Sequence, residues 1–167
     1  RRIDELGRIV IPKEIRTNLR LNMGDIVEIF VEDNKILLVK QKVSDKRNWS
    51  LPGGKLEQGE TLEQGIIREM KEETDLNVEI VRLLYLCDVS ASDNTLLHIT
   101  FLLKRIAGDI TLPTNEFESN PIYDVKFIPI SDLSKYGFNN KFIELAKNGF
   151  ADSGIYAGDK SNIGLGG

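Results

Sequence analysis

The chain has 167 residues, room for one ordinary domain or for a small module joined to a compact one, and enough to bury a core without disulfides. Its 41% apolar and 29% charged residues exclude a disordered polymer, and no apolar run approaches the length of a membrane span. The net charge of −4 is uneven: residues 1–47 hold eleven Lys and Arg against eight Asp and Glu, or +3, and the remainder sums to −7, so a basic front suited to a polyanion precedes an acidic body suited to divalent cations.

In chain order, Gly7 to Ile11 is predicted as a short strand, with Pro12 at the first position of a short helix over Lys13 to Leu21 that closes at Asn22-Met23-Gly24. Ile26 to Val31 and Ile36 to Lys40 are β-rich runs around Asp33-Asn34, a hairpin signal. Ser44 to Asn48 is polar, and Leu51-Pro52-Gly53-Gly54 reads as a loop. Thr61 and Gln64 stand at capping-box spacing and open a helix to about Thr74. Strands are expected over Asn77 to Val89 and Thr95 to Arg105, joined by a turn at Ala91 to Asn94. A further strand is expected over Pro121 to Ile130, then a helical turn at Ser131 to Tyr136 and a terminal helix at Asn139 to Asn148. Six glycines in the last twenty residues predict a tail that packs irregularly if at all. Cys87 is the single cysteine and no charged-then-apolar leader opens the chain, which points to a reducing, cytoplasmic setting. The chain opens on Arg1-Arg2 rather than on methionine, so a few residues are expected to precede it.

Chemistry concentrates where a glycine loop, Gly54-Lys-Leu-Glu-Gln-Gly-Glu60, meets the helix segment Arg68-Glu69-Met70-Lys71-Glu72-Glu73. Glu69, Glu72 and Glu73 fall at i, i+3 and i+4 on one helix face, where like charges repel by roughly 0.2–0.5 kcal/mol per pair in water. A divalent cation removes that penalty, and Mg²⁺ prefers oxygen donors and also binds substrate phosphates. A solvated helix face with Arg68 and Glu72 as an i,i+4 pair is the plainer reading of the hexamer alone. Six fixed residues, Gly54, Glu60, Arg68, Glu69, Glu72 and Glu73, co-occur by chance with a probability of roughly one in 10⁵ at ordinary residue frequencies.

On these residues the sequence resembles the Nudix hydrolases, whose signature is Gly, five residues, Glu, seven residues, Arg-Glu, apolar, any, Glu-Glu, any, Gly, apolar. Gly54, Glu60, Arg68, Glu69, Met70, Glu72, Glu73 and Leu76 match by position, and Trp49-Ser-Leu-Pro-Gly-Gly54 is a similar lead-in. Asp75 replaces the second signature glycine, at a position after the helix that calls for a left-handed backbone, which Asp tolerates better than most residues. The resemblance implies an α+β fold, an α/β/α sandwich with a mixed sheet. It also implies metal-dependent hydrolysis of a nucleoside diphosphate linked to another moiety, by water attack at phosphorus, with Mg²⁺ or Mn²⁺ as cofactor. Carried over by residue, Glu72 and Glu73 are the principal metal ligands, Glu69 is a further ligand or the general base, and Gly53 lends its carbonyl. Arg68 orients the glutamates, while Gly54 and Glu60 support the loop. Glu116, Glu118 and Asp124 are candidates for a further acid from a later loop, with solvated loop charge as the alternative. Phe117, Tyr123, Phe127 and Tyr156 are candidates for base stacking, with packing as theirs. His98 and Cys87 read as core residues.

The front, Arg1-Arg-Ile-Asp-Glu-Leu-Gly-Arg-Ile-Val-Ile-Pro-Lys-Glu-Ile-Arg16 with Leu19 to Leu21, Gly24-Asp25 and Val27-Glu-Ile-Phe-Val31, resembles the AbrB/SpoVT swapped-hairpin DNA-binding domain. That likeness implies a homodimer of interleaved β-α-β-hairpin segments gripping DNA through Arg1, Arg2, Arg8 and Arg16. Arg16 is followed by Thr17 where relatives often carry a second arginine, and residues 1–20 net only +3, so a dimerisation arm that does not bind DNA stands beside the DNA-binding reading. The expected division is an AbrB-like segment over 1–42 and a Nudix domain over 43–167. Both resemblances claim the hairpin over 26–42, and the larger core is expected to take it. The competing functional class is a DNA-binding regulator that uses the Nudix domain as a nucleotide sensor.

Overall fold

The computed structural model describes residues 25–44, 47–90, 95–115 and 120–165. Arg1, Arg2, Arg8 and Arg16 lie outside the described residues, as do the elements expected over residues 7–24, the turn at 91–94, and Glu116, Phe117 and Glu118.

β1 (Asp25–Glu32) and β2 (Lys35–Ser44) meet at Asp33-Asn34, whose φ angles of 50° and 60° are those of a primed hairpin turn. The two strands pair with each other only at Val31 with Ile36 and Glu32 with Lys35, and then part. β1 runs parallel to β6 (Thr95–Ala107), from Ile26 opposite Ile99 to Phe30 opposite Leu103, and antiparallel to β4 (Gly53–Lys55). β2 pairs antiparallel with β7 (Asp124–Pro129) and with β3 (Arg47–Ser50). β5 (Asn77–Ser90) completes the order between β6 and the edge strand β8 (Ile155–Asp159), which joins it in parallel. Both strands of the disputed hairpin are thus held by strands that lie later in the chain.

Burial follows this placement. Ile36, Leu37, Leu38 and Val39 are all fully buried, as a strand covered on both faces must be. Leu37 and Val39 join Ile66 and Met70 of helix α1 (Leu62–Thr74) in one apolar layer. Ile36 and Leu38 join Leu133, Phe138, Phe142 and Phe150 in the other, beneath a 3₁₀ helix (Ile130–Tyr136) and helix α2 (Asn140–Lys147). Helices therefore cover a mixed sheet on both sides, the α/β/α arrangement expected. The capping box also forms: Gln64 N–H donates to Thr61 Oγ1 at 3.2 Å, and Thr61 N–H to Gln64 Oε1 at 2.9 Å. Asp75 ends α1 at φ 62°, left-handed as its place in the signature requires.

Three expectations are corrected. The polar stretch before Trp49 gives way to strand β3 from Arg47, and Gly53–Lys55 is a short strand rather than only loop, because each finds a neighbour strand whose hydrogen-bonding edge was not visible locally. The described part of the tail packs on the domain: β8 docks on β5, a second 3₁₀ helix (Lys160–Ile163) follows, and Ile163 and Leu165 are buried. Its glycines make turns, Gly164 at φ 78° lying so close to Asn139 and Phe142 that a side chain there would overlap them. Helix α2 is consequently the last α-helix but not the last packed element. Among the described residues no helix is long and apolar enough to cross a membrane.

Candidate active site

Helix α1 buries Ile66 and Met70, one turn apart, and that anchoring fixes where its acids point. Glu69, Glu72 and Glu73 line one cavity of about 820 Å³ together with Gly53, Gly54 and Arg68. Arg68 is the hub. Its Nε donates to Glu60 Oε1 at 2.7 Å and its Nη2 to Glu60 Oε2 at 3.0 Å; Nη1 reaches Glu69 Oε1 at 2.9 Å and Glu72 Oε2 at 3.1 Å. Nη2 also donates to the Lys55 carbonyl at 3.0 Å, so one guanidinium joins helix, loop and strand. Three surrounding carboxylates raise the arginine's pKa still further above its ordinary value, through the Glu60 hydrogen bond first. Glu60 is held below the usual carboxylate range, mainly by its bond to Arg68 and then by the Glu57 N–H at 2.9 Å.

The glycines set how closely loop and helix approach. Gly53 N–H donates to Glu73 Oε2 at 2.9 Å, with a φ of 149° that favours glycine. A methyl group at Gly54 would overlap the Glu69 carboxylate, so that position stays bare for the acid to lie against it. The side chains of Glu69 and Glu60 are 13% and 16% exposed, whereas Glu72 is 54% exposed. All seven residues expected to form the core of the site, Gly53, Gly54, Glu60, Arg68, Glu69, Glu72 and Glu73, are therefore brought together. The three acids line a common wall without closing on one point, two turned to Arg68 and one to the Gly53 N–H. Among the described residues no group of three acidic, histidine or cysteine side chains is already set around a single cation position. The donors are nonetheless all hard oxygens on one cavity, and the bare Gly54 surface seats one of them, which suits a divalent cation such as Mg²⁺.

The later candidates fall elsewhere. Asp124 begins β7 paired to Lys126 at 2.6 Å, away from the cavity wall. Tyr123 is exposed; Tyr156, also exposed, donates its hydroxyl to Asp88; and Phe127 lies half-buried beneath the Arg105 guanidinium. Cys87 is fully buried, and burial pushes its thiol up to about 11. His98, read from sequence as a core residue, is buried and also faces the cavity, as do Arg47 and Lys160. A lone histidine in an apolar strand carries no signal of such placement, and Lys160 sits in a tail whose docking was not legible.

Comparison with known proteins agrees with this geometry. The NUDIX domain family model matches residues 24–146, and the model described as antidote-toxin recognition MazE, bacterial antitoxin, matches residues 1–46, the two overlapping on the hairpin. An ADP-ribose pyrophosphatase of Methanocaldococcus jannaschii is 34% identical over 118 residues, which are 69% of this chain and 66% of that protein. Stage V sporulation protein T of Bacillus subtilis is 61% identical over 41 residues, 24% of this chain and 23% of that protein. The chain thus spans less than two thirds of the length of these curated relatives. The crystal structure of a UDP-X diphosphatase shares the fold, with a TM-score of 0.59 at 24% identity over 86% of this chain and 74% of that one.

Proposed function

This chain belongs to the NUDIX family, and we propose that it hydrolyses a nucleoside diphosphate linked to another moiety, by attack of water on a phosphorus of the diphosphate, with Mg²⁺ as its metal. The observation that carries the reading is the common cavity wall of Glu69, Glu72 and Glu73, laid against Gly53 and Gly54 and held by Arg68.

Glu72 and Glu73, with the Gly53 carbonyl, would hold the metal. The bound cation supplies charge neutralisation of the diphosphate and a more acidic water. The protein's own residues do the rest. Glu69, shielded from bulk water by Gly54 and Arg68, would take the proton of the attacking water, a role worth typically ~10²–10⁴-fold. Arg68 is a positioning residue that sets the rotamers of Glu69 and Glu72, and Glu60 anchors Arg68 to the loop.

The test is turnover. The protein is incubated with Mg²⁺ and ADP-ribose, a nucleoside triphosphate, a dinucleoside polyphosphate or a nucleotide sugar, beside a Glu72→Gln variant. Cleavage that the variant loses by more than about 10²-fold while remaining folded supports the reading; equal cleavage by both proteins, or none by either, overturns it.

The likeness of residues 1–46 to the MazE antitoxin family model and to stage V sporulation protein T, with the basic charge of that segment, favours a second activity alongside the first. We assign Arg1, Arg2, Arg8 and Arg16 to phosphate contacts with DNA in a homodimer. Binding through them must weaken steeply with salt. No retention on DNA leaves dimerisation as the segment's role, and retention that ignores ionic strength removes these arginines from phosphate contacts.

A further inference from the structure

Glu69, Glu72 and Glu73 come from one element of the cavity lining. They are carried by α1, which packs in the layer of Leu37, Ile66 and Met70. Other parts of the wall come from elements of the opposite layer: Arg47 at the start of β3, His98 on β6 and Lys160 at the second 3₁₀ helix, flanked by Leu51, Phe138 and Leu165. Three basic side chains from three elements thus meet the cavity that the acids of α1 line, in addition to Lys42, Lys55 and Arg68.

Arg47 is the most defined of them. Its guanidinium carbon stands 5.1 Å from the centre of the Phe138 ring, and its stem lies against Gly137, where an added methyl would come within 3.0 Å of Arg47 Cγ. Trp49, two residues along β3, braces the same 3₁₀ helix through an edge contact with Tyr136 at 5.2 Å. Among the described residues no carboxylate pairs with Arg47. Burial alone acts on its pKa, lowering it. A half-buried guanidinium held on an aromatic face without an acid is a costly arrangement unless an anion arrives, and its planar fork matches phosphate or carboxylate.

Building on the hydrolase reading above, we infer that Arg47, with His98 and Lys160 lining the same cavity, forms an anion subsite for the substrate's far moiety. The preferred substrate is then a nucleoside diphosphate derivative that carries a second anion, a phosphate or a carboxylate, beyond the scissile diphosphate. The diphosphate itself is accounted for by the metal-holding residues of α1 and Gly53.

Matched substrate pairs test this with the full chain and Mg²⁺. UDP-glucuronate against UDP-glucose differs by a carboxylate, and ADP-ribose 1″-phosphate against ADP-ribose by a phosphate. The wild type is expected to favour the charged member of one pair by about tenfold in kcat/KM, and the pair that responds identifies the anion. Arg47→Met, which keeps the stem on Phe138 and Gly137, removes the preference and leaves the neutral member within about twofold; Arg47→Lys keeps part of it. An indifferent wild type, or an Arg47→Met variant that loses both members alike, overturns the subsite and marks Arg47 as structural or as a grip on the shared diphosphate. Should no compound be cleaved, the hydrolase reading fails separately, and dissociation constants of the same pairs decide this one: a charge preference that Arg47→Met abolishes sustains it, and equal or absent binding ends it.

Discussion

Glu60 and Arg68 make a two-point ion pair, Oε1 to Nε at 2.7 Å and Oε2 to Nη2 at 3.0 Å, and through it the loop leading into α1 is fastened to the residue that also holds Glu69 and Glu72. A fork of this kind specifies orientation as well as charge. Arg68→Lys keeps the charge and loses the fork, so Glu69 and Glu72 lose their common reference. The expected result is a fall in kcat of about 10²-fold with little change in KM, since small misplacement of reacting groups costs that much. Steady-state kinetics at saturating Mg²⁺ check it, and an unchanged kcat would remove Arg68 from the positioning role.

Acid stability follows from the same pair. Glu60's carboxyl lies below its ordinary value because Arg68 and the Glu57 N–H favour the charged form. A depressed folded-state pKa contributes stability that is complete above the unfolded value of about 4.3 and disappears as pH falls through the lower folded value. Denaturant midpoints measured from pH 6 down to pH 3 should therefore decline less steeply for Glu60→Gln than for the wild type. Parallel curves would show that the pair contributes nothing to the acid limb.

Gly54 separates activity from stability. A methyl group there displaces the Glu69 carboxylate, which is the far end of a flexible side chain and not backbone, so the fold adapts while the acid moves. Gly54→Ala should keep its melting temperature within a few degrees and lose about 10²-fold or more in kcat. A variant that unfolds instead would assign Gly54 to the fold.

The carboxyl-terminal docking is tested at Gly164. Its φ of 78° and its contact with Asn139 and the Phe142 backbone leave no room for a side chain, and Asn139 is the residue whose Oδ1 caps α2 by accepting from Phe142 N–H at 3.1 Å. Gly164→Ala should cost on the order of 1–3 kcal/mol in unfolding free energy, by strain and by loss of that cap. An effect within about 0.5 kcal/mol would mean that the tail does not pack on α2.

Cys87 should be inert. It is fully buried with a thiol raised to about 11, so a thiol reagent at pH 8 labels it only in denaturant. Because the folded pKa lies above the unfolded one, its contribution to stability is complete below about pH 8.5 and is lost as pH rises towards the folded value. Rapid labelling of native protein would place the thiol at the surface.

Local chemistry was readable wherever the deciding residues are neighbours in sequence. Thr61 and Gln64 cap each other within one turn, Asp75 takes the left-handed position its place after the helix demands, and Arg68, Glu69, Glu72 and Glu73 need only helical periodicity to share a face. What was not readable depends on distant partners. Gly53–Lys55 becomes a strand only because β1 lies alongside it, and Ile155–Asp159 only because β5 offers an edge. This basic part of the cavity lining was hidden for the same reason: Arg47, His98 and Lys160 come from three segments that no motif links.

The parting of β1 from β2 has a consequence for how the molecule is made. Both strands leave the ribosome before the strands that hold them, yet their own shared register is two residue pairs, Val31 with Ile36 and Glu32 with Lys35. The partners that hold them, β6 opposite Ile26 to Phe30 and β7 opposite Lys35 to Lys40, are translated much later. Non-local pairing of this kind is slow, since loop closure precedes any gain from contact. A nascent chain therefore carries a β-rich hairpin with unmet edges until β7 has emerged, and growth temperature and chaperone supply, more than the final stability, will govern how much of it reaches the native sheet.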